Sequence, residues 1–171
     1  GREADILIGT QMIVKGHDFP GVTLVGILAA DLSLYAPDYR CGERTFQLLT
    51  QAAGRAGRDQ LNGDVVIQTY SPDHYCIQTA AAQDYEAFYE KEMEYRRMLH
   101  YPPVCVMMTL LIGGTSEEAV DSAMKIAFEA VQTAPEIQTV GPVNAPIYKL
   151  NDIYRKILYM KSENYDILIK I

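Results

Sequence analysis

Apolar and polar positions divide this chain into short runs of one kind and longer mixed stretches. Residues 5–10, with Ile6-Leu7-Ile8 at their centre, the run from Thr23 to Ala30, and Asp64 to Tyr70 are nearly continuous apolar segments. Runs of that length predict strands buried on both faces. Between the second and third, Glu43 to about Ala56 repeats apolar residues at helical spacing, with Phe46, Leu49, Ala52, Ala53 and Ala56 on one side. Pro37 to Gly42 reads as a loop, and Asn62-Gly63 within residues 59–64 reads as a turn. Strand, helix, strand in this order is the pattern of an α/β domain built on a parallel sheet.

The second half has a different rhythm. Ser71-Pro72-Asp73 predicts a helix start with serine or aspartate as N-cap, and a helix over about His74 to Ala82. A second helix is expected from Asp84 to Leu99, with Tyr85, Phe88, Tyr89 and Met93 apolar and Glu86, Glu90, Glu92 and Glu94 on a solvated or docking face. Tyr101-Pro102-Pro103 stops it. Val104 to Ile112 predicts a strand, Gly113-Gly114 a turn, and Thr115-Ser116-Glu117-Glu118 a capping box opening a helix to about Thr133. Val140-Gly141-Pro142 and Ile147-Tyr148 read as short extended pieces, Tyr154 to Lys161 as a strand, and Tyr165 to Ile171 as the start of a helix. The order β-α-β-β-α is that of a split β-α-β sandwich lacking its last strand. Three regions follow: 1–70 as a parallel-sheet unit, 71–103 as a helical connector, and 104–171 as a smaller α+β domain.

Candidate chemistry sits in two stretches. In Gln51-Ala52-Ala53-Gly54-Arg55-Ala56-Gly57-Arg58, a continued helix would bring Gln51, Arg55 and Arg58 within about 60° of one another, opposite the packing face. Two glycines in such a helix cost roughly 1 kcal/mol each against alanine, which only a helix end or a close backbone approach would explain. Solvated arginines favoured by the helix macrodipole are the plain alternative. Upstream, Gly9-Thr10-Gln11 follows the first strand, and Lys15-Gly16-His17-Asp18 forms a turn before the second. A cation, a glycine and a carboxylate beyond a strand's carboxyl end suit a polyanionic ligand.

Composition narrows these readings. The chain has 171 residues, is 49% hydrophobic and carries a net charge of −7. It can bury a real core, and a diffuse positive coat for nucleic acid is excluded. Residues 137–171 run the other way, with five cations, among them Lys149, Arg155, Lys156 and Lys161, against three acids, a net of +2. These serve either as cations guarding an exposed strand edge or as a surface for DNA or an acidic protein tail. Cys41, Cys76 and Cys105 are widely spaced and predict buried free thiols in a reducing cytoplasm, with neither a zinc site nor a disulfide framework. Neither a run of 18 apolar residues nor a charged-then-apolar leader occurs, so the expected location is cytoplasmic, without a membrane. No GxxxxGK[ST] phosphate loop and no acidic Walker B motif is present.

Taken together, Gly9 to Pro20, Ala29-Ala30-Asp31, Glu43 to Gln51, the Gln51 to Arg58 octet and Gln68-Thr69-Tyr70 resemble the fifth and sixth motifs of superfamily 2 helicases. Their wording resembles that of the PriA family of bacterial replication-restart helicases, densely over residues 5–110 and more thinly beyond. The Ala-Ala of Gln51-Ala52-Ala53-Gly54 and the phrase Arg44-Thr45-Phe46-Gln47-Leu48-Leu49 favour this family over a RecG-like branch-migration translocase. From a different class, a non-catalytic interaction module is the other alternative.

The resemblance implies that residues 1–70 are the C-terminal part of the second RecA-like lobe of an ATP-dependent 3′-to-5′ DNA helicase that acts at stalled forks and initiates primosome assembly. The first lobe would bind most of the ATP and Mg²⁺, so the segment alone is expected to be inactive. Zinc is expected in the full-length family, on ligands outside this segment. Thr10, Gln11 and Lys15 would meet the phosphates of single-stranded DNA. Gly16 and Asp18 would lie at the ATP cleft, and Gln51, Arg55 and Arg58 would face the nucleotide, with Arg58 and Arg55 as the catalytic pair. His17 would hydrogen-bond structurally or act in catalysis, and Asp31 would couple the DNA and ATP sites or cap the next turn. Lys149, Arg155 and Lys156 would serve DNA. Single-strand-binding protein and other primosome proteins are the implied partners.

Overall fold

The computed structural model describes residues 4–10, 21–57 and 63–170. Two compact units result, divided between Met93 and Glu94. Each has its own hydrophobic core.

In the first unit, strands β1 (Leu24–Ile27) and β2 (Asp64–Ile67) pair in parallel, from Leu24 opposite Asp64 to Ile27 opposite Ile67. A short 3-10 helix (Ala30–Tyr35) and helix α1 (Cys41–Ala53) connect them. Helices α2 (Tyr75–Ala82) and α3 (Tyr85–Leu99) follow. Alternation decides what the strands contribute, since successive side chains point to opposite faces. Ile27 and Ile67 pack against a core made by Ala30, Phe46, Leu49, Cys76, Ile77, Ala80 and Phe88. Phe46 of α1 stacks on Phe88 of α3 at 4.2 Å between ring centroids. The expected strand-helix-strand unit with a parallel sheet is therefore present.

Several expectations fail for identifiable reasons. Residues 4–10 form no strand and are exposed throughout. A strand exists only through its ladder partners, and neither β1 nor β2 takes this segment. β1 and β2 are shorter than the apolar runs that predicted them and bury one face only, leaving Leu24 61% and Val66 57% exposed. The α2 start is capped by neither Ser71 nor Asp73. Residues 71–74 form a turn closed by the His74 N–H on the Ser71 carbonyl at 3.1 Å, and the N-cap is the extended His74, whose Nδ1 accepts the Cys76 N–H at 3.2 Å. Burial holds the His74 pKa below its ordinary value, which keeps that nitrogen an acceptor. Asp84 caps α3 by accepting the Ala87 N–H at 2.9 Å. Glu92 leaves the predicted solvated face of α3: it is buried with Phe88 and Arg96, on one stripe at intervals of four,.

The second unit is a β3 (Val106–Gly114), α4 (Glu117–Val131), β4 (Gln138–Leu150), β5 (Ile153–Ser162), α5 (Tyr165–Leu168) succession. Its sheet order is β3-β5-β4, and both pairings are antiparallel. β3 and β4 therefore run parallel with β5 between them, the predicted split β-α-β arrangement. Val106, Met108, Leu110 and Ile112, alternate residues of β3, pack on Met124, Leu158 and Met160. Gly113 and Gly114 are not a turn, because they pair with Arg155 and Tyr154 in the ladder. Helix α4 is capped by Ser116 Oγ, which accepts the Ala119 N–H at 3.3 Å. Ala119 stands where a capping box needs Glu or Gln, so only the serine half of the motif forms. The two extended pieces around Val140 and Ile147 belong to one strand, β4, broken by register shifts between Val140 and Val143 and between Asn144 and Lys149.

Separate cores predict separable losses. Phe46→Ala should destabilise the first unit by about 3 to 5 kcal/mol and Leu158→Ala the second by about 2 to 5 kcal/mol. Amide hydrogen exchange should then accelerate in α1 after the first change and in β5 after the second. Equal acceleration in both units after either substitution would contradict two cores.

Cys76 is fully buried and Cys105 buried, as expected, while Cys41 is only partly covered. Burial is the largest cause that pushes the Cys76 thiol up to about 12, and it also raises Cys41. Because the thiolate is the reactive form, Cys41 should be alkylated well before Cys76 at pH 8, with mass spectrometry reading the order. Faster labelling of Cys76 in the folded chain would refute its burial.

Candidate nucleotide and nucleic-acid sites

Helix α1 ends at Ala53, before Arg55, because Gly54 leaves the helical backbone as its C-cap. Residues 54–57 form a turn in which the Arg55 N–H bonds the Ala52 carbonyl at 3.0 Å and the Ala56 N–H bonds the Ala53 carbonyl at 3.1 Å. Gln51 stays exposed on the helix, whereas Arg55 is half-buried in the turn. The helical spacing that aligned Gln51 with Arg55 and Arg58 does not extend past Ala53. Gly57 takes φ 69°, a conformation suited to glycine, and its N–H bonds the Val22 carbonyl at 3.0 Å. A Cβ at Gly63 would lie 2.3 Å from the Gly57 nitrogen and 2.6 Å from the Ala56 carbonyl carbon. The helix end falls at Gly54 and the positive φ at Gly57, while the close backbone approach requires glycine at its partner, Gly63. The sequence does not name that partner, since Gly63 has an adequate account there as part of an Asn-Gly turn.

Arg58, Gln11, Lys15, Gly16, His17 and Asp18 lie outside the described residues. Thr10 is exposed on irregular backbone. Asp31 is only 3% exposed, and its Oδ1 has no hydrogen-bond partner. It caps nothing, because the 3-10 helix begins after Ala29 without any side-chain cap. Ala29 is left-handed, with φ 49°, and its N–H is taken by Gln68 Oε1 at 2.7 Å. Gln68, at the end of β2, was singled out only as part of a motif, and no local pattern announces this bond across 39 positions. Asp31 follows the C-terminal end of β1, whereas the Arg55 turn is tied to Val22 before its N-terminal end.

In the second unit the predicted DNA cations have partners within the unit. Lys149 Nζ lies 3.0 Å from Asp152 Oδ1 and 4.7 Å from the centre of the Tyr154 ring. The Asp152 carboxylate is the first cause of a raised Lys149 pKa. Lys156 pairs with Asp121 of α4. Arg155 donates from Nε and Nη2 to the Ile147 carbonyl at 3.0 and 2.8 Å, bracing the irregular part of β4. Tyr148 donates to Glu117 and is pushed up to about 12 by that bond. Lys161 does not join this surface. It is 5% exposed, donates to the Leu99 carbonyl at 3.1 Å and lies 3.8 Å over the Tyr101 ring.

A further polar group went unnoticed in the sequence. Tyr75 Oη donates to Glu92 Oε2 at 2.6 Å, and burial and that bond raise the phenol well above its ordinary pKa. A Cβ at Gly42, in the first turn of α1, would lie 2.8 Å from the same Glu92 oxygen. The spacing of four from Phe88 was the available signal, but glutamate among four acids reads as solvent-facing. Among the described residues, no group of three or more His, Cys, Asp or Glu is placed to hold a metal ion, and no helix is long and apolar enough to cross a membrane.

Residues 97–170 match the family model described as the Primosomal protein N C-terminal domain. The chain is 48% identical over 155 residues to the replication restart protein PriA of Bacillus subtilis, covering 90% of this chain and 19% of that protein. It is 43% identical over 165 residues to the PriA of Synechocystis, covering 95% of this chain and 20% of that protein. To the PriA of Chlamydia pneumoniae it is 42% identical over 165 residues, covering 94% and 22%. The chain spans about a fifth of the length of these relatives. On identity sustained across nearly all of its residues, the chain belongs to the PriA family.

Proposed function

We propose that this chain is part of an ATP-dependent 3′-to-5′ DNA helicase that loads at stalled or abandoned replication forks and initiates primosome assembly for replication restart. The reading rests on the names of the relatives, each a replication restart protein. One observation carries the chemistry: the turn after α1, fixed by the Gly57 bond to Val22, holds Arg55 and delivers the chain to Arg58. Arginine is permanently charged and presents a fork of donors to phosphate oxygens. Residues 1–70 then belong to a second RecA-like lobe, residues 71–103 connect, and residues 104–171 form the C-terminal domain. ATP and Mg²⁺ are held mainly by a first lobe outside this segment, with Gly16, Asp18, Gln51, Arg55 and Arg58 completing the cleft. Zinc is held elsewhere in the full-length protein. Thr10, Gln11 and Lys15 meet single-stranded DNA through phosphates, without reading sequence. Single-strand-binding protein and other primosome proteins are the proposed protein partners, in the cytoplasm.

Arg58 is the proposed finger on the γ-phosphoryl group, whose equatorial oxygens carry the transition-state charge. Such a finger is worth about 10³ to 10⁵ in turnover. In the full-length protein, Arg58→Ala should cut DNA-stimulated ATP hydrolysis by orders of magnitude and leave ATP and DNA affinity within several-fold. Arg58→Lys should restore little, since a point charge does not reproduce the fork. Near-normal turnover in the alanine variant would pass the finger role to Arg55.

For the second unit, the same reading has Lys149, Arg155 and Lys156 approach DNA. Arg155 also braces β4, so the clean test leaves it in place. Replacing Lys149 and Lys156 with Gln should weaken single-stranded DNA binding and lower the slope of log K against log salt by about 1 for each lost phosphate contact. An unchanged affinity and slope would leave these lysines to Asp152 and Asp121 alone.

A further inference from the structure

The first unit buries one carboxylate of the acidic helix α3 at the head of the helix that leads to the arginine turn. Glu92 is 5% exposed. Its Oε2 accepts from Tyr75 Oη at 2.6 Å, and Tyr75 is the first residue of α2. The space beside Gly42, the second residue of α1, is closed by three atoms: Glu92 Oε2 at 2.8 Å from an added Cβ, Tyr75 Oη at 2.9 Å and Cys76 Sγ at 3.1 Å. A carboxylate thus stands at the first turn of α1, where the backbone N–H groups lack helical partners and the dipole favours negative charge. Burying such a group costs several kcal/mol unless it is paired, and the Tyr75 hydroxyl supplies one such partner here.

What it touches is a rigid strut. Thr45, 1% exposed, donates to the Cys41 carbonyl at 2.8 Å and shares a 2.7 Å hydrogen bond with Ser33. At the other end, Gly54 closes the helix on the Thr50 carbonyl, and Gly57 is tied to Val22, both at 3.0 Å. Between these ends the helix packs through Phe46 and Leu49. A displacement at Gly42 therefore moves the turn that holds Arg55 and leads to Arg58.

We propose that Glu92, gripped by Tyr75 against Gly42, is a positioning residue for the arginine turn: it fixes the head of α1 and so sets where Arg55 meets the nucleotide. This rests on the finger reading given above. Misplacement of a catalytic group by about 1 Å from a remote change costs about 10²-fold in rate, so the loss should fall on kcat.

The test uses the full-length protein and four variants: Glu92→Gln, Tyr75→Phe, Gly42→Ala and Arg58→Ala. Glu92→Gln keeps the shape and removes the charge. Tyr75→Phe removes one hydroxyl and keeps the ring that stacks near Phe88. Gly42→Ala drives a methyl into the carboxylate. Each of the first three should lower kcat of DNA-stimulated ATP hydrolysis by about 10- to 100-fold, with KM for ATP and affinity for single-stranded DNA within several-fold of normal. A merely structural role would instead lower kcat and DNA-binding capacity together, in proportion to the fraction still folded, and that outcome overturns the inference. Should Glu92→Gln fail to fold, Tyr75→Phe decides alone by the same split. Normal kcat in Glu92→Gln and Tyr75→Phe beside a lost kcat in Arg58→Ala overturns the positioning role and leaves the finger reading standing. Normal kcat in Arg58→Ala passes the finger role to Arg55, and the positioning role is then overturned only if Glu92→Gln and Tyr75→Phe also keep normal kcat.

Discussion

The first unit depends on the burial of one face of α1. Phe46 stacked on Phe88 and Leu49 at 3% exposure join the single covered face of the two-stranded sheet to α2 and α3. An aromatic pair of this kind adds about 0.5 to 1.5 kcal/mol beyond the area it removes from water. Because interiors are close-packed and transmit strain, the other features of the unit are referred to this helix. Ser33 and Thr45 fix its head, Gly54 and Gly57 fix its tail, and Gln51 leaves from its exposed side. Of the candidate residues, Gln51 and Arg55 lie at the end of this packed element, the kind of support that holds a side chain in one geometry.

Much of this was legible in the residues. Helical spacing around Phe46 and Leu49 located α1, and the two glycines of the octet marked a place where the helix had to yield. The second unit was readable in its order β-α-β-β-α, although the predicted Gly113-Gly114 turn lies within β3 and the two extended pieces merge into β4. What escaped was of two kinds. Bonds between residues far apart in sequence, such as Gln68 to Ala29 and Tyr75 to Glu92, leave no local pattern. Residues with two adequate accounts, such as Gly63 and Glu92, were given the commoner one, a turn glycine and a solvated acid, when the structure uses them as a close approach and a buried anchor. The helical pattern of α1 overruns the helix for a related reason: alanines at 53 and 56 favour continuing it, and the glycines at 54 and 57 prevail by ending it.

The cations of the second unit show why charge counting alone does not identify a surface. Lys149 and Lys156 are held by carboxylates whose side chains are 90% and 48% exposed, and exposed pairs of this kind are worth about 0 to 1 kcal/mol. A phosphate could replace such partners at little cost. Arg155 spends two donors on one carbonyl, and Lys161 is buried against Tyr101 and the Leu99 carbonyl. Removing Lys161 would leave the part-buried Leu99 carbonyl without this donor, and removing Arg155 would take both side-chain donors from the Ile147 carbonyl. Four cations that look alike in the sequence therefore separate into two that are exchangeable and two that belong to the fold.

The same distinction between pattern and context explains the strands of the first unit. Ile6-Leu7-Ile8 and Thr23 to Ala30 have the continuous apolar character of strands covered on both faces, yet Ile8 is 87% exposed, Leu28 80% and Leu24 61%. Parallel sheets occur almost only with helices on both sides, so the sequence is written for more cover than these residues supply to one another. One face of β1 and β2 packs on the first core through Ile27 and Ile67; the other, with Leu24 and Val66, is more than half exposed. A segment spanning about a fifth of its relatives would carry this mismatch wherever its sheet continues into neighbouring parts of the polypeptide. The exposed apolar positions of β1 and β2, together with residues 4–10, are therefore the part of the first unit whose apolar pattern the described residues leave unmet.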